Sequence, residues 1–194
     1  MKQSLNKQSI QLLPMGLIYF GLFSIAIWID MYRRVFRFPK LDHQFLSLVV
    51  VDLSIGFIGG LVIAGLTFLA TKNLKPFQDL SKMFSDLLGP VHPLEIFFLS
   101  SFSALGEEFF FRGIIQGELG LVFASLFFGL IHIGPNRKAW PWTLFSILVG
   151  FILGALYEWR GNLLTPVVMH FTINYVNLWL LYKSITRAQG AGSS

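Results

Sequence analysis

Apolar runs long enough to cross a bilayer recur from one end of this chain to the other, and they decide the solvent it folds in. A crossing takes about 20 predominantly apolar residues. Such stretches occupy roughly residues 13–32, 46–70, 94–117, 120–134, 141–159 and 162–182, separated by short basic or Gly/Pro-containing loops. The expected fold is all-α, a polytopic transmembrane helical bundle of about six spans. Charged residues make up 13% of the chain, against about 25% in a soluble domain. One integral membrane domain over residues 1–194 is therefore expected, with no separate soluble one. The first apolar stretch is too long for a signal-peptide core and no small-residue cleavage site follows it, so it reads as a retained helix. Residues 186–194, which end in AQGAGSS, read as a disordered tail. The fourth stretch is short, and it can span only if the turn at Gly117–Gly120 is itself embedded against protein.

The net charge of +5 could suggest nucleic acid, but the Lys and Arg residues sit almost entirely between apolar runs. In that position they report topology and contact with an anionic lipid surface. The bilayer is thus the expected partner, and nucleic acid is not. Six spans put both termini on one side, where the loops hold nine Lys and Arg against five on the other. Both termini are expected in the cytoplasm on that count. Arg33, Arg34, Arg37 and Lys40, crowded after the first span, pull the opposite way. Trp28, Tyr32, Trp140, Trp142, Trp159 and Tyr182 fall near predicted ends, as interfacial belts do. The chain has no cysteine, which excludes disulfides, thiolate zinc ligands and a cysteine nucleophile. Any chemistry must use carboxylate, imidazole, hydroxyl or amide groups.

Between the second and third spans, residues 71–92 mix Lys and Asp with Leu80, Met83, Phe84, Leu87 and Leu88 at helical spacing. An interfacial helix lying on the lipid surface is the favoured reading, and a gate over a site is the other. Gly56 with Gly60, and Gly150 with Gly154, stand at the GxxxG spacing of closely packed membrane helices.

Ionisable groups within a span are costly and mark functional candidates. The third predicted span holds Glu107, Glu108 and Arg112 in GEEFFFRG, the fourth ends FFGLIH at His132, and the sixth holds His170 and Asn174 in HFTIN. Glu108 and Arg112 are four residues apart and can pair on one helical face. Glu107 is rotated by about 100° from Glu108 and is left to face the bundle. His170 and Asn174, also four apart, present an imidazole and an amide on one face. At a rise of about 1.5 Å per residue, Glu107 lies about 15 Å from Gly117, His132 about 18 Å from Gly120, and His170 and Asn174 about 12 and about 18 Å from Asn162. Four polar groups from three helices therefore reach similar depth. Glu95, Glu118, Glu158 and Asp30 fall near span ends as rim charges, while Asp52 lies deeper in the second span and reads equally as a packing contact or a site residue.

The order EExxxR, FxxxH and HxxxN on successive apolar helices, from Glu107 to Asn174, resembles the motif set of the CAAX protease and bacteriocin-processing (CPBP, Abi) family of intramembrane glutamate-dependent endopeptidases. The resemblance covers a motif-bearing core at about 94–182, and the first two spans carry no matching motif. It implies hydrolysis of a peptide bond in a membrane-anchored protein or peptide. Glu107 would be the general base and His132 its partner in holding water, with His170 and Asn174 hydrogen-bonding the oxyanion and Glu108 and Arg112 in support. No cofactor is expected, and the residues permit a metal without requiring one. Two alternatives stand beside it: a zinc hydrolase with Glu107, His132 and His170 as ligands, and a non-catalytic assembly or immunity-like membrane partner that keeps the polar cluster to specify packing.

Overall fold

A computed structural model describes residues 2–37, 44–89 and 91–191. Every regular element among them is helical: α1 (Lys2–Arg33), α2 (Phe45–Asn73), α3 (Lys75–Leu88), α4 (Pro93–Phe110), a π-helical turn (Phe111–Ile115), α5 (Gln116–Leu130), a 3-10 turn (Arg137–Ala139), α6 (Trp140–Arg160) and α7 (Leu164–Ala191). Five stretches are long and apolar enough to cross a membrane: Leu13–Arg33, Phe45–Asn73, Pro93–Leu130, Arg137–Arg160 and Leu164–Arg187. The chain is an integral membrane protein with an all-α bundle, as expected.

The third of these stretches is two limbs joined at a reversal. Gly120 has φ 80° and ψ 168°, a conformation open essentially to glycine alone. The chain folds back there, bringing the Phe111 ring within 5.5 Å of Phe127 and 5.1 Å of Phe128. The expected span at 120–134 is accordingly shorter than its apolar run. Only 121–130 stay helical past the reversal, about 15 Å of rise against a hydrocarbon core of about 30 Å. The turn itself is tied to the first helix by an ion pair of 2.9 Å between Arg33 and Glu118.

Helix directions follow from the contacts. Tyr19 packs on Gly106 and Phe36 on Gly113, so α1 runs with α4. Ser125 packs on Gly150 while Leu121 packs on Gly154, so α5 runs against α6. Gly56 meets Val168 and Gly60 meets Thr172, so α2 runs with α7. His170 reaches Glu108 and Asn174 reaches Ser103, so α7 runs against α4. The six limbs alternate in direction, and the start of α1 and the end of α7 share the end of the bundle at which α3 lies.

Both GxxxG pairs serve the close approach expected of them. A Cβ on Gly60 would stand 2.6 Å from Thr172 Cβ, and one on Gly154 would stand 2.6 Å from Gln116 Oε1. Asp52 is resolved as a packing residue. Its carboxylate is fully buried and accepts from Arg160 Nε at 2.6 Å, Asn162 Nδ2 at 2.8 Å and Thr165 Oγ1 at 2.9 Å, which clamps α2 to the α6–α7 turn. Glu95 closes a capping box with His92 at the start of α4. Of the expected tail at 186–194, the residues up to Ala191 continue α7, as the helix-favouring Ala188 and Gln189 allow, and 192–194 lie outside the described residues.

α3 is docked rather than merely lying on lipid. Phe84 sets its ring edge-on to Trp142 at 5.1 Å, and Met83 Sδ accepts from Asn136 Nδ2 at 3.5 Å. Leu80, Met83, Phe84 and Leu88 are half-buried, whereas Leu87, expected on the same face, is exposed.

Candidate active site

The four residues expected to converge come from α4, the end of α5 and α7. A π-helical turn that contains Arg112 begins three residues after Glu108, a feature that recurs at functional sites. Glu107, Glu108 and Arg112 retain 3%, 0% and 1% exposure, so three formal charges are taken out of solvent on little more than one helical turn.

Glu108 is held from two sides. Its Oε2 lies 3.1 Å from Arg112 Nε and its Oε1 lies 2.7 Å from His170 Nδ1. The Arg112 pairing is the expected i to i+4 contact; the second contact was not legible, because it depends on how α7 crosses α4. Arg112 also donates to Gly150 O at 3.2 Å and lies over the Phe128 ring, its guanidinium carbon 4.6 Å from the centroid. Charge pairing and a ring face together stabilise a guanidinium at this depth.

His132 lies in the turn just after α5, where its Nδ1 is 2.6 Å from Phe128 O. A carbonyl oxygen can only accept, so Nδ1 carries the proton and donates, and Nε2 of the neutral ring presents its lone pair. By the same logic His170 donates Nδ1–H to Glu108. Both Nε2 atoms then turn toward Glu107, whose Oε2 is 3.6 Å from His132 Nε2 and 3.9 Å from His170 Nε2. Glu107 Oε2 is buried and has no hydrogen-bond partner among the described residues. Three acceptors thus face one another, an arrangement suited to a small donor such as water.

Asn174 is brought to the same face of α4 one turn away, and it does not touch Glu107 directly. Its Nδ2 donates to Ser103 Oγ at 2.9 Å, and Ser103 Oγ in turn donates to Ser100 O at 3.2 Å. An amide nitrogen has two N–H bonds, so the second is left for a ligand while Ser103 holds the first.

Phe128 is the wall of the site. Its ring stands 4.6 Å from His132 and 5.9 Å from His170, so it fixes both imidazoles as well as Arg112. Trp142, read from sequence as an interfacial residue, has its ring centroid 5.2 Å from that of His132, the two planes at 90°. Thr143 Oγ1 donates to His132 O at 3.0 Å. His132 is the more exposed of the two, with 13% side-chain exposure against 3% for Glu107.

Comparison with known proteins falls on the same segment. The model of the type II CAAX prenyl endopeptidase Rce1-like family matches residues 90–176. The uncharacterized protein YpbD of Bacillus subtilis (strain 168) is 42% identical over 83 residues, which cover 42% of this chain and 42% of that protein. The match thus spans about two-fifths of the relative's length. No solved structure matches the chain. Residues 90–176, with the three motifs and the polar cluster they build, are thus similar to the type II CAAX prenyl endopeptidase Rce1-like family.

Proposed function

We propose that this protein is an intramembrane endopeptidase in which Glu107 activates a water molecule against a peptide bond of a membrane-associated protein or peptide. The observation that carries the proposal is the pair of distances from Glu107 Oε2 to the two imidazole Nε2 atoms, 3.6 and 3.9 Å. A water donating one O–H to Glu107 and the other to His132 Nε2 would keep its lone pairs for the scissile carbonyl. As the carbonyl oxygen gains negative charge, His170 Nε2–H, when that ring carries both protons, and the second Asn174 N–H are the donors that stabilise it. Glu108 and Arg112 hold His170 in place. Phe128 and the surrounding helices limit the water that reaches the reacting atoms.

A zinc hydrolase would draw on the same two imidazoles and one carboxylate, whose donor types suit that ion. Among the described residues no group of three His, Asp or Glu side chains is disposed to hold a metal.

The decisive experiment is hydrolysis of membrane-anchored peptides by purified protein in liposomes, with and without chelator, alongside Glu107→Gln. Cleavage that survives the chelator and is lost in Glu107→Gln supports the proposal. Full activity of the variant would refute it. Loss of cleavage only on metal removal would transfer the residues to zinc. A folded parent that cleaves nothing in its own membrane would make the cluster a packing device.

A further inference from the structure

α3 precedes the segment that the family comparison matches, which begins at residue 90, yet its side chains lead to the site residue that lies past the end of its helix. His132 follows α5, and its N–H donates to Gly129 O at 3.0 Å, a bond to the third residue back. The α-helical ladder has stopped there, so the direction of the imidazole depends on its neighbours.

Two of those neighbours come from the first turn of α6. The Trp142 ring stands at 90° to the imidazole, with centroids 5.2 Å apart, and Thr143 Oγ1 donates to His132 O at 3.0 Å. An edge-to-face pair fixes the plane of a ring as well as its position. Trp142 is only half-buried, and it has a brace of its own: the Phe84 ring of α3 stands at 83° to it, 5.1 Å away. Met83 accepts from Asn136 Nδ2, in the loop that joins His132 to α6. None of the 14 residues of α3 is buried, so a helix that adds nothing to the core still ends two rings from His132. The orientation it reaches matters to the site. His132 Nε2 faces Glu107 Oε2 at 3.6 Å while its Nδ1–H stays on Phe128 O, and a turn of the ring would break both relations.

We propose that Trp142 is a positioning residue that fixes the plane of the His132 ring, and that α3 sustains it through Phe84. The kinetic consequence rests on the protease reading given above; the ring contacts do not.

Two measurements separate them. In 15N-histidine spectra of the full chain in detergent, the His132 signals are identified by their loss in His132→Gln. They should report one Nδ1–H tautomer in the parent and a mixture of tautomers in both Trp142→Leu and Phe84→Ala. An unchanged tautomer in Trp142→Leu would overturn the positioning role, and one unchanged in Phe84→Ala would overturn the part given to α3. In liposomes each variant should lower kcat about 10- to 100-fold, as small displacements of a reacting group do. Phe84→Tyr, which keeps the ring, and Leu87→Ala, on the exposed side of α3, should match the parent. If Phe84 acts through Trp142, the double variant should be no slower than Trp142→Leu alone. Losses that multiply would overturn the relay, and parental kcat in Trp142→Leu would overturn the kinetic role. A parent without turnover would sink the protease reading alone, because the tautomer still decides whether α3 holds His132.

Discussion

Glu108 Oε1 lies 2.7 Å from Nδ1 of His170, and the adjacent Glu107 lies 3.9 Å from Nε2 of the same ring. Two neighbouring carboxylates on α4 thus address opposite nitrogens of one imidazole on α7. The carboxylates are thereby given different work. Glu108 is spent on Arg112 and His170, while Glu107 keeps an oxygen without a hydrogen-bond partner among the described residues.

That division predicts unequal responses to the same substitution. Glu107→Gln retains shape but not basicity, and should lower turnover by about 100- to 10,000-fold in a protein that still melts normally. Glu108→Gln should show its larger effect in the melting curve, because the Arg112 charge is then buried without its partner. Steady-state kinetics and thermal unfolding in one detergent check both.

Arg112→Ala leaves Glu108 charged, buried and held only by His170. Breaking one side of a buried pair costs about 3–5 kcal/mol, and a cavity under Phe128 adds to it. A marked fall in melting temperature is expected, with Arg112→Lys intermediate because a lysine cannot keep the planar contact over Phe128. A melting temperature equal to the parent's would contradict the assignment.

Asn174→Ala removes the N–H proposed to meet the developing oxyanion and should reduce kcat by about 100- to 1,000-fold. Ser103→Ala removes only the acceptor that steadies the amide, so a smaller loss is expected, equivalent to about 1 kcal/mol. The order of the two variants in single-turnover assays is the test: Ser103→Ala should not exceed Asn174→Ala.

The cluster at the other end of the bundle should behave as structure only. Asp52 is fully buried among Arg160, Asn162 and Thr165. Asp52→Ala leaves Arg160 without its partner and should destabilise by about 3–5 kcal/mol, while the fraction that folds keeps parental kcat. A selective loss of kcat would draw Asp52 into the active site.

Helix packing supplies a last check. A side chain on Gly60 meets Thr172 Cβ at 2.6 Å and the Met169 carbonyl at 2.9 Å. Gly60→Val must push α2 off α7, with overpacking of this kind costing about 1–3 kcal/mol. Gly65, which has nothing within 4 Å of an added Cβ, is the matched control and should accept alanine with little change in melting temperature.

Much of this arrangement follows from local patterns in the chain. Apolar length alone selects a helical membrane bundle, the GxxxG spacing marks where α2 meets α7, and the i to i+4 rule pairs Glu108 with Arg112 and leaves Glu107 aside. The matched depths of Glu107, His132 and His170 also follow from counting residues along helices of constant rise. Contacts between helices distant in sequence are another matter, since they depend on crossing angles and rotations that no periodicity encodes. The bond from Glu108 to His170, the attachment of Asn174 to Ser103, the Trp142 edge against His132 and the approach of Tyr19 to Gly106 are of that kind. So is the place of Asp52, whose partners lie more than 100 residues away.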